Sequence, residues 1–124
     1  VTKRIAIVDD NPVIRKLLRD ILESADSSWT VCVEANDGRE GVEKIQESKP
    51  DVAVLDLTMP VMNGLEAARI LNRTAPQIPL ILCTLHEDPI LKSQASGVGI
   101  KAIVSKAENM QVLVQTIRSL LEPA

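Results

Sequence analysis

With 124 residues, 45% of them hydrophobic, the chain is sized for one domain, residues 1–124, that can bury a core without disulfide or metal staples. Its 14 basic and 17 acidic side chains leave a net charge of −3, which argues against non-specific nucleic-acid binding by this domain alone. Two cysteines make neither a metal set nor a disulfide framework, and no apolar run approaches the roughly 18 residues of a membrane span, so no membrane partner is expected.

Taken in order, short apolar runs alternate five times with amphipathic stretches. The first strand is expected over Arg4–Val8. Asn11-Pro12 then offers a helix cap followed by proline at the first helical position, and Val13, Leu17 and Ile21 repeat at helical spacing, flanked by Ile14, Leu18 and Leu22. A second strand over Thr30–Ala35 precedes a helix capped by Asp37, in which Glu40 and Lys44 form an i,i+4 pair and Gly41 weakens the helix. The third strand, Val52–Leu55, leads to a helix that begins at Gly64 with Leu65, Ala68 and Leu71 on one face. Leu80–Thr84 is followed by a short polar helix near Pro89–Ser96. Ala102–Val104 is followed by a last helix with a stripe of Met110, Leu113, Val114, Ile117, Leu120 and Leu121.

The strand runs are short, rich in Val and Ile, and largely without polar alternation, as in parallel strands covered on both faces. The class is therefore α/β. With Trp29 the only aromatic, Val, Ile, Leu, Ala and Met must build the core. Cys32 and Cys83 lie in strand-like runs and read as buried reduced thiols, which points to a cytoplasmic location. The start at Val1 suits processing or excision from a longer chain, and Glu122-Pro123-Ala124 reads as the opening of a linker or a frayed end.

In such sheets ligands bind beyond the carboxyl ends of the strands. Strand one ends in Asp9 and Asp10, strand three in Asp56, strand four in Thr84, and Ser105 and Lys106 follow strand five. Three carboxylates on one edge require a cation or a proton, because two of them about 4 Å apart repel by about 4 kcal/mol at an effective dielectric near 20. Hard oxygen ligands favour Mg²⁺ over zinc. Singly, each residue has a plainer reading as a turn residue, a helix-start acid or a solvated charge. Jointly, in this order, they point to a phosphoryl-transfer site.

At these residues the sequence resembles the receiver domain of bacterial two-component response regulators, over nearly the whole chain. The motifs are Val8-Asp9-Asp10-Asn11, the run Asp56-Leu57-Thr58-Met59-Pro60-Val61-Met62-Asn63-Gly64, Thr84, and Ser105-Lys106. The resemblance implies a flavodoxin-like doubly wound sheet of five parallel strands, order 2-1-3-4-5, with five surrounding helices. It implies that Asp56 accepts the phosphoryl group and that Asp10, assisted by Asp9, holds Mg²⁺ (Mn²⁺ as substitute) together with Asp56 and the Thr58 carbonyl. It further implies that Thr84 and Lys106 bind the phosphoryl oxygens, and that the donor is a sensor histidine kinase or phosphotransfer protein. The chain is then a switch and not an enzyme in its own right.

Several positions depart from that pattern. Ile103 stands where an aromatic switch residue is usual, Leu85 where a small residue is common, and Ala107 where proline follows the lysine. Lys106-Ala107-Glu108 resembles the NarL/FixJ (LuxR-type) branch, whose DNA contacts come from a separate effector domain. Thr58 and His86 stand at positions that, by the resemblance, would tune phosphate loss. Arg15, Lys16 and Arg19 are candidates for docking an acidic kinase surface, and Val112, Thr116 and Ser119 for a homodimer contact. The alternatives are a stand-alone receiver acting by protein contact, a haloacid-dehalogenase-like phosphohydrolase, for which Thr58 replaces the expected second acid, and a flavodoxin-like nucleotide binder, which Asp9 and Asp10 would repel without a metal.

Overall fold

A computed structural model describes residues 2–85, 88–106 and 109–122. The elements run β1 (Lys3–Val8), α1 (Pro12–Ala25), β2 (Trp29–Ala35), α2 (Gly38–Ser48), β3 (Val52–Asp56), α3 (Gly64–Thr74), β4 (Leu80–Thr84), α4 (Pro89–Gly97), β5 (Ile100–Ser105) and α5 (Gln111–Leu121). All strand pairs are parallel, in the order β2-β1-β3-β4-β5. The flavodoxin-like α/β fold expected from the sequence is the observed one.

Each central strand hides a period of two inside its apolar run. Ile5 and Ile7 of β1 point to the layer that holds Leu18, Leu22, Leu113, Val114 and Ile117, while Ala6 and Val8 point to the layer of Val42, Ile45, Ala68 and Leu71. Helices therefore cover both faces, and the strands can be apolar throughout.

The edge strands solve the same problem with bulges. In β2 the register steps from Ile5↔Val31 to Ala6↔Val33, so Cys32 is an extra residue. Trp29 and Val31 accordingly face one layer, Val33 and Ala35 the other. Cys32 itself is exposed, contrary to the buried thiol expected from its apolar neighbours; Cys83 is buried as expected. Lys101 plays the same part in β5, between Ile100 and Ala102. A charged residue broke the apolar run there, so the sequence showed only half of this strand. Bulges of this kind also discourage edge-to-edge association.

The starts of α1 to α4 carry side-chain caps, whereas Met110 at the start of α5 gives none. Asn11 Oδ1 accepts from the Val13 N–H at 2.9 Å, Asp37 caps α2, and Asn63 with Glu66 forms a capping box on α3. The face of α1 differs from the leading stripe read in the sequence. Leu18 and Leu22 are buried, whereas Val13 is 73% and Leu17 49% exposed. Two stripes one residue apart both satisfy a helical period, and only docking on the sheet selects between them. Gly41, read as a weak point of α2, has a packing reason: a Cβ there would lie 2.7 Å from Val8 Cγ2, so its absence lets α2 settle on β1. The readings for His86, Ala107 and Pro123-Ala124 lie outside the described residues. Among the described residues no helix is long and apolar enough to cross a membrane.

Candidate functional site

Parallel pairing puts the carboxyl ends of all five strands on one edge. The register aligns Val8 with Leu55, Asp56 with Cys83, and Thr84 with Ser105, so the residues just beyond come level. Oxygens of Asp9, Asp10 and Asp56 lie within 4.8 Å of one another. Asp9 is 2% and Asp56 8% exposed, while Asp10 opens to solvent. Lys106 Nζ lies 2.9 Å from Asp9 Oδ2 and 2.9 Å from Asp56 Oδ1. Thr84 is buried at the end of the intervening strand, and its carbonyl accepts the Lys106 N–H at 2.8 Å.

Asp9 is fixed from every side. Its N–H donates to the Ala35 carbonyl at 3.1 Å, and its Oδ1 accepts the Asn11 N–H at 2.9 Å. Its carbonyl accepts Arg15 Nη1 at 2.6 Å. Below Asp56, Gly64 allows close approach: a Cβ there would sit 2.2 Å from the Asp56 carbonyl oxygen. The Gly64 N–H also donates to the Leu57 carbonyl at 2.9 Å, which folds the β3–α3 loop back over the strand end.

The charges of the cluster pull against one another. Burial pushes the Asp56 carboxyl above its ordinary value; the Lys106 hydrogen bond opposes this, and the charges of Asp9 and Asp10 reinforce it. Burial would lower the Lys106 ammonium, but its hydrogen bonds to Asp9 and Asp56 outweigh that and hold it above its ordinary value. One ammonium thus stands against three carboxylates. The remaining negative charge and the all-oxygen donor set suit a hard divalent cation, or an electrophile that arrives with one.

Asp9, Asp10, Asp56 and Lys106 are brought together, with Thr84 at the adjacent strand end. Thr58 is exposed in the β3–α3 loop and lines a groove of about 530 Å³ with Leu57, Met59, Asp88, Ile90 and Gln94. Ile103 is not part of the cluster. It sits half-buried opposite Leu82, on the side of the sheet that carries α4.

Two features escaped the sequence. Arg15 and Arg19, read as a face for an acidic kinase, turn instead to Glu34 on β2: Arg15 Nε lies 3.6 Å from its Oε1, and Arg19 pairs with Oε2. Lys16 lies on the surface, paired loosely with Asp20, and Arg19 stays partly exposed. No local signal joins Arg15 to Glu34, because the topology alone makes them neighbours. Val61 adopts φ 69°, and the Met62 N–H donates to the Pro60 carbonyl at 2.7 Å across it. The Pro60 before it marked a turn but not its hand.

The comparisons with known proteins agree with this geometry. The family model described as response regulator receiver domain matches residues 5–118. The chemotaxis protein CheY of Thermotoga maritima is 38% identical over 104 residues, 84% of this chain and 85% of the relative. The transcriptional regulatory protein DegU of Brevibacillus brevis is 31% identical over 119 residues, 90% of this chain but 50% of the relative. Against matched protein-glutamate methylesterases the chain spans as little as 21% of the relative's length. Among solved structures, a LuxR-family two-component response regulator from Aurantimonas sp. SI85-9A1 superposes with a TM-score of 0.92 at 31% identity, covering 98% of this chain and 86% of that one.

Proposed function

Because the chain belongs to the response regulator receiver domain family, we propose that residues 1–124 form one receiver domain, a switch set by phosphorylation of Asp56. The observation that carries this reading is the shared pocket of Asp9, Asp10, Asp56 and Lys106.

In this reading an Asp56 carboxylate oxygen attacks the phosphorus of a phosphohistidine on a sensor kinase or phosphotransfer protein. The P–N bond breaks, and Asp56 becomes an acyl phosphate. Asp9, Asp10 and Asp56, with the Thr58 carbonyl, would hold Mg²⁺, which supplies positive charge against the carboxylates and the phosphoryl oxygens. Lys106, already 2.9 Å from Asp56, and the Thr84 hydroxyl would take phosphoryl oxygens released from solvent. Drawing Thr84 and Lys106 toward the phosphate shifts the ends of β4 and β5, and Ile103 on β5 would repack as part of that shift.

Acetyl phosphate with Mg²⁺ tests the reading. One phosphoryl group should be gained by mass, the gain should need Mg²⁺, and Asp56→Asn should abolish it. A mass unchanged in the native protein would end the proposal, and steady release of phosphate from many turnovers would favour a hydrolase.

Control of transcription through a separate DNA-binding domain is the output we favour, supported by the DegU and LuxR-family likenesses. A receiver acting alone by protein contact is the second reading, supported by the CheY likeness over 85% of that relative's length. A change in promoter binding on phosphorylation, measured on the full-length protein, separates the two.

A further inference from the structure

We propose that Arg15 is a positioning residue of the acidic pocket: held by Glu34, it clamps the Asp9–Asp10 peptide so that both carboxylates are presented together to a divalent cation. The inference rests on the metal-binding reading above and extends it to residues outside the pocket.

The clamp is built across two elements. Arg15 of α1 is only 14% exposed at its side chain, so its guanidinium is largely withdrawn from water. Its Nη1 donates to the Asp9 carbonyl at 2.6 Å, and its Nε lies 3.6 Å from Glu34 Oε1 on the neighbouring strand β2. That carbonyl belongs to the planar peptide that joins Asp9 to Asp10. Fixing its oxygen fixes the plane, and with it the direction in which the Asp10 chain leaves. The Asn11 N–H and Lys106 Nζ act on the Asp9 side chain, and the Asp9 N–H, bonded to the Ala35 carbonyl, belongs to the preceding peptide, so these contacts leave the Asp9–Asp10 peptide plane free. Arg15 is thus the one side chain among the described contacts that acts on the peptide between the two acids.

Two effects compete. A guanidinium near the pocket repels a cation and should weaken binding by charge alone. A clamp should strengthen it, because ligands held in place lose less freedom on binding. The Glu34 carboxylate, shared with Arg19, lies against the guanidinium and offsets part of its charge, which favours the positioning effect. Outer residues that orient metal ligands typically change affinity about 10- to 100-fold when lost.

Arg19 supplies the control. It pairs with the same Glu34 but does not touch the Asp9 peptide, so its loss disturbs the ion cluster and not the clamp. The test is calorimetric titration of the full chain with Mg²⁺ for the native protein, Arg15→Met and Arg19→Met. Amide hydrogen exchange at Asn11, whose N–H is held by Asp9 Oδ1 at 2.9 Å, is followed in chelator. Arg15→Met should bind Mg²⁺ about tenfold more weakly and speed exchange at Asn11 by a similar factor, while Arg19→Met stays within about twofold of native on both readouts. Unchanged or tighter binding by Arg15→Met would overturn the proposal, because charge would then have won. So would equal losses in both variants, which mark general loosening of α1. If the native protein takes up no Mg²⁺, the metal-binding reading fails by itself, and the exchange rate at Asn11 still decides whether Arg15 holds the Asp9–Asp10 segment in place.

Discussion

Lys106 Nζ stands 2.9 Å from Asp56 Oδ1, joining the ends of β5 and β3 across the strand that separates them in the sheet. The same ammonium reaches Asp9, so a single side chain balances two buried carboxylates. Removing it leaves both carboxylates without an ion-pair partner among the described residues.

Lys106→Met is therefore expected to lower stability by about 2 kcal/mol when chelator is present. Saturating Mg²⁺ should restore most of the loss, since a ligand that binds only the folded state stabilises it by mass action. Denaturant titrations with and without Mg²⁺ measure both halves. The Lys106 ammonium is held above its ordinary value of 10.5, so its contribution is fully present below pH 10.5 and fades only as pH climbs through the raised value.

Asp56 has the opposite sense. Its carboxyl is pushed above the ordinary 3.8, chiefly by burial, so the folded state prefers the protonated form. Stability from this group is complete below pH 3.8 and is lost as pH rises through the raised value. At neutral pH without metal, Asp56→Asn should raise the melting temperature, on the order of 3 °C, and the gain should shrink at acidic pH. Thermal unfolding at pH 7 and near pH 4 tests this; a gain equal at both would contradict the assignment.

Val61 carries backbone strain at an exposed site. Its φ of 69° is costly for a β-branched residue, typically about 1–3 kcal/mol. Val61→Gly relieves that cost and loses little packing, because the side chain is exposed. We expect a net gain of about 1 kcal/mol after the added freedom of the unfolded chain is counted. Denaturant midpoints at unchanged m-value give the measurement.

The two cysteines should separate kinetically. Cys32, exposed on its bulge, should react with a thiol reagent in the native protein. Cys83 is buried, and burial pushes its thiol up to about 11, so its modification should wait for unfolding. Mass spectrometry of timed alkylation should find Cys32 labelled first; early label on Cys83 would contradict its burial.

The parts of this molecule that were legible in the sequence share one cause. Strand runs, caps and the order of polar residues at strand ends are local, and a parallel sheet converts them into a site by placing like ends on one edge. Asp9, Asp10, Asp56 and Lys106 could be placed together on that rule alone. What escaped needs tertiary information. Val13 and Leu17 fit a helical stripe as well as Leu18 and Leu22, and docking chose the latter. Cys32 and Lys101 sit on bulges, which shift the register without a sequence mark of their own. Arg15 meets Glu34 only because β2 lies beside β1. Gly41 looked like a weakness because its partner, Val8, lies in a different element.

Trp29 is the chain's one tryptophan, with no tyrosine or phenylalanine beside it in the sequence, and Arg118 of α5 lies over it at 5.0 Å while also gripping Asp26 at 3.0 Å. Every near-ultraviolet photon the native chain emits therefore originates beside the seat of its last helix. Displacement of that helix would change the cation over the indole and so the colour and yield of the emission. The molecule comes with its own optical gauge of helix seating, readable without a dye.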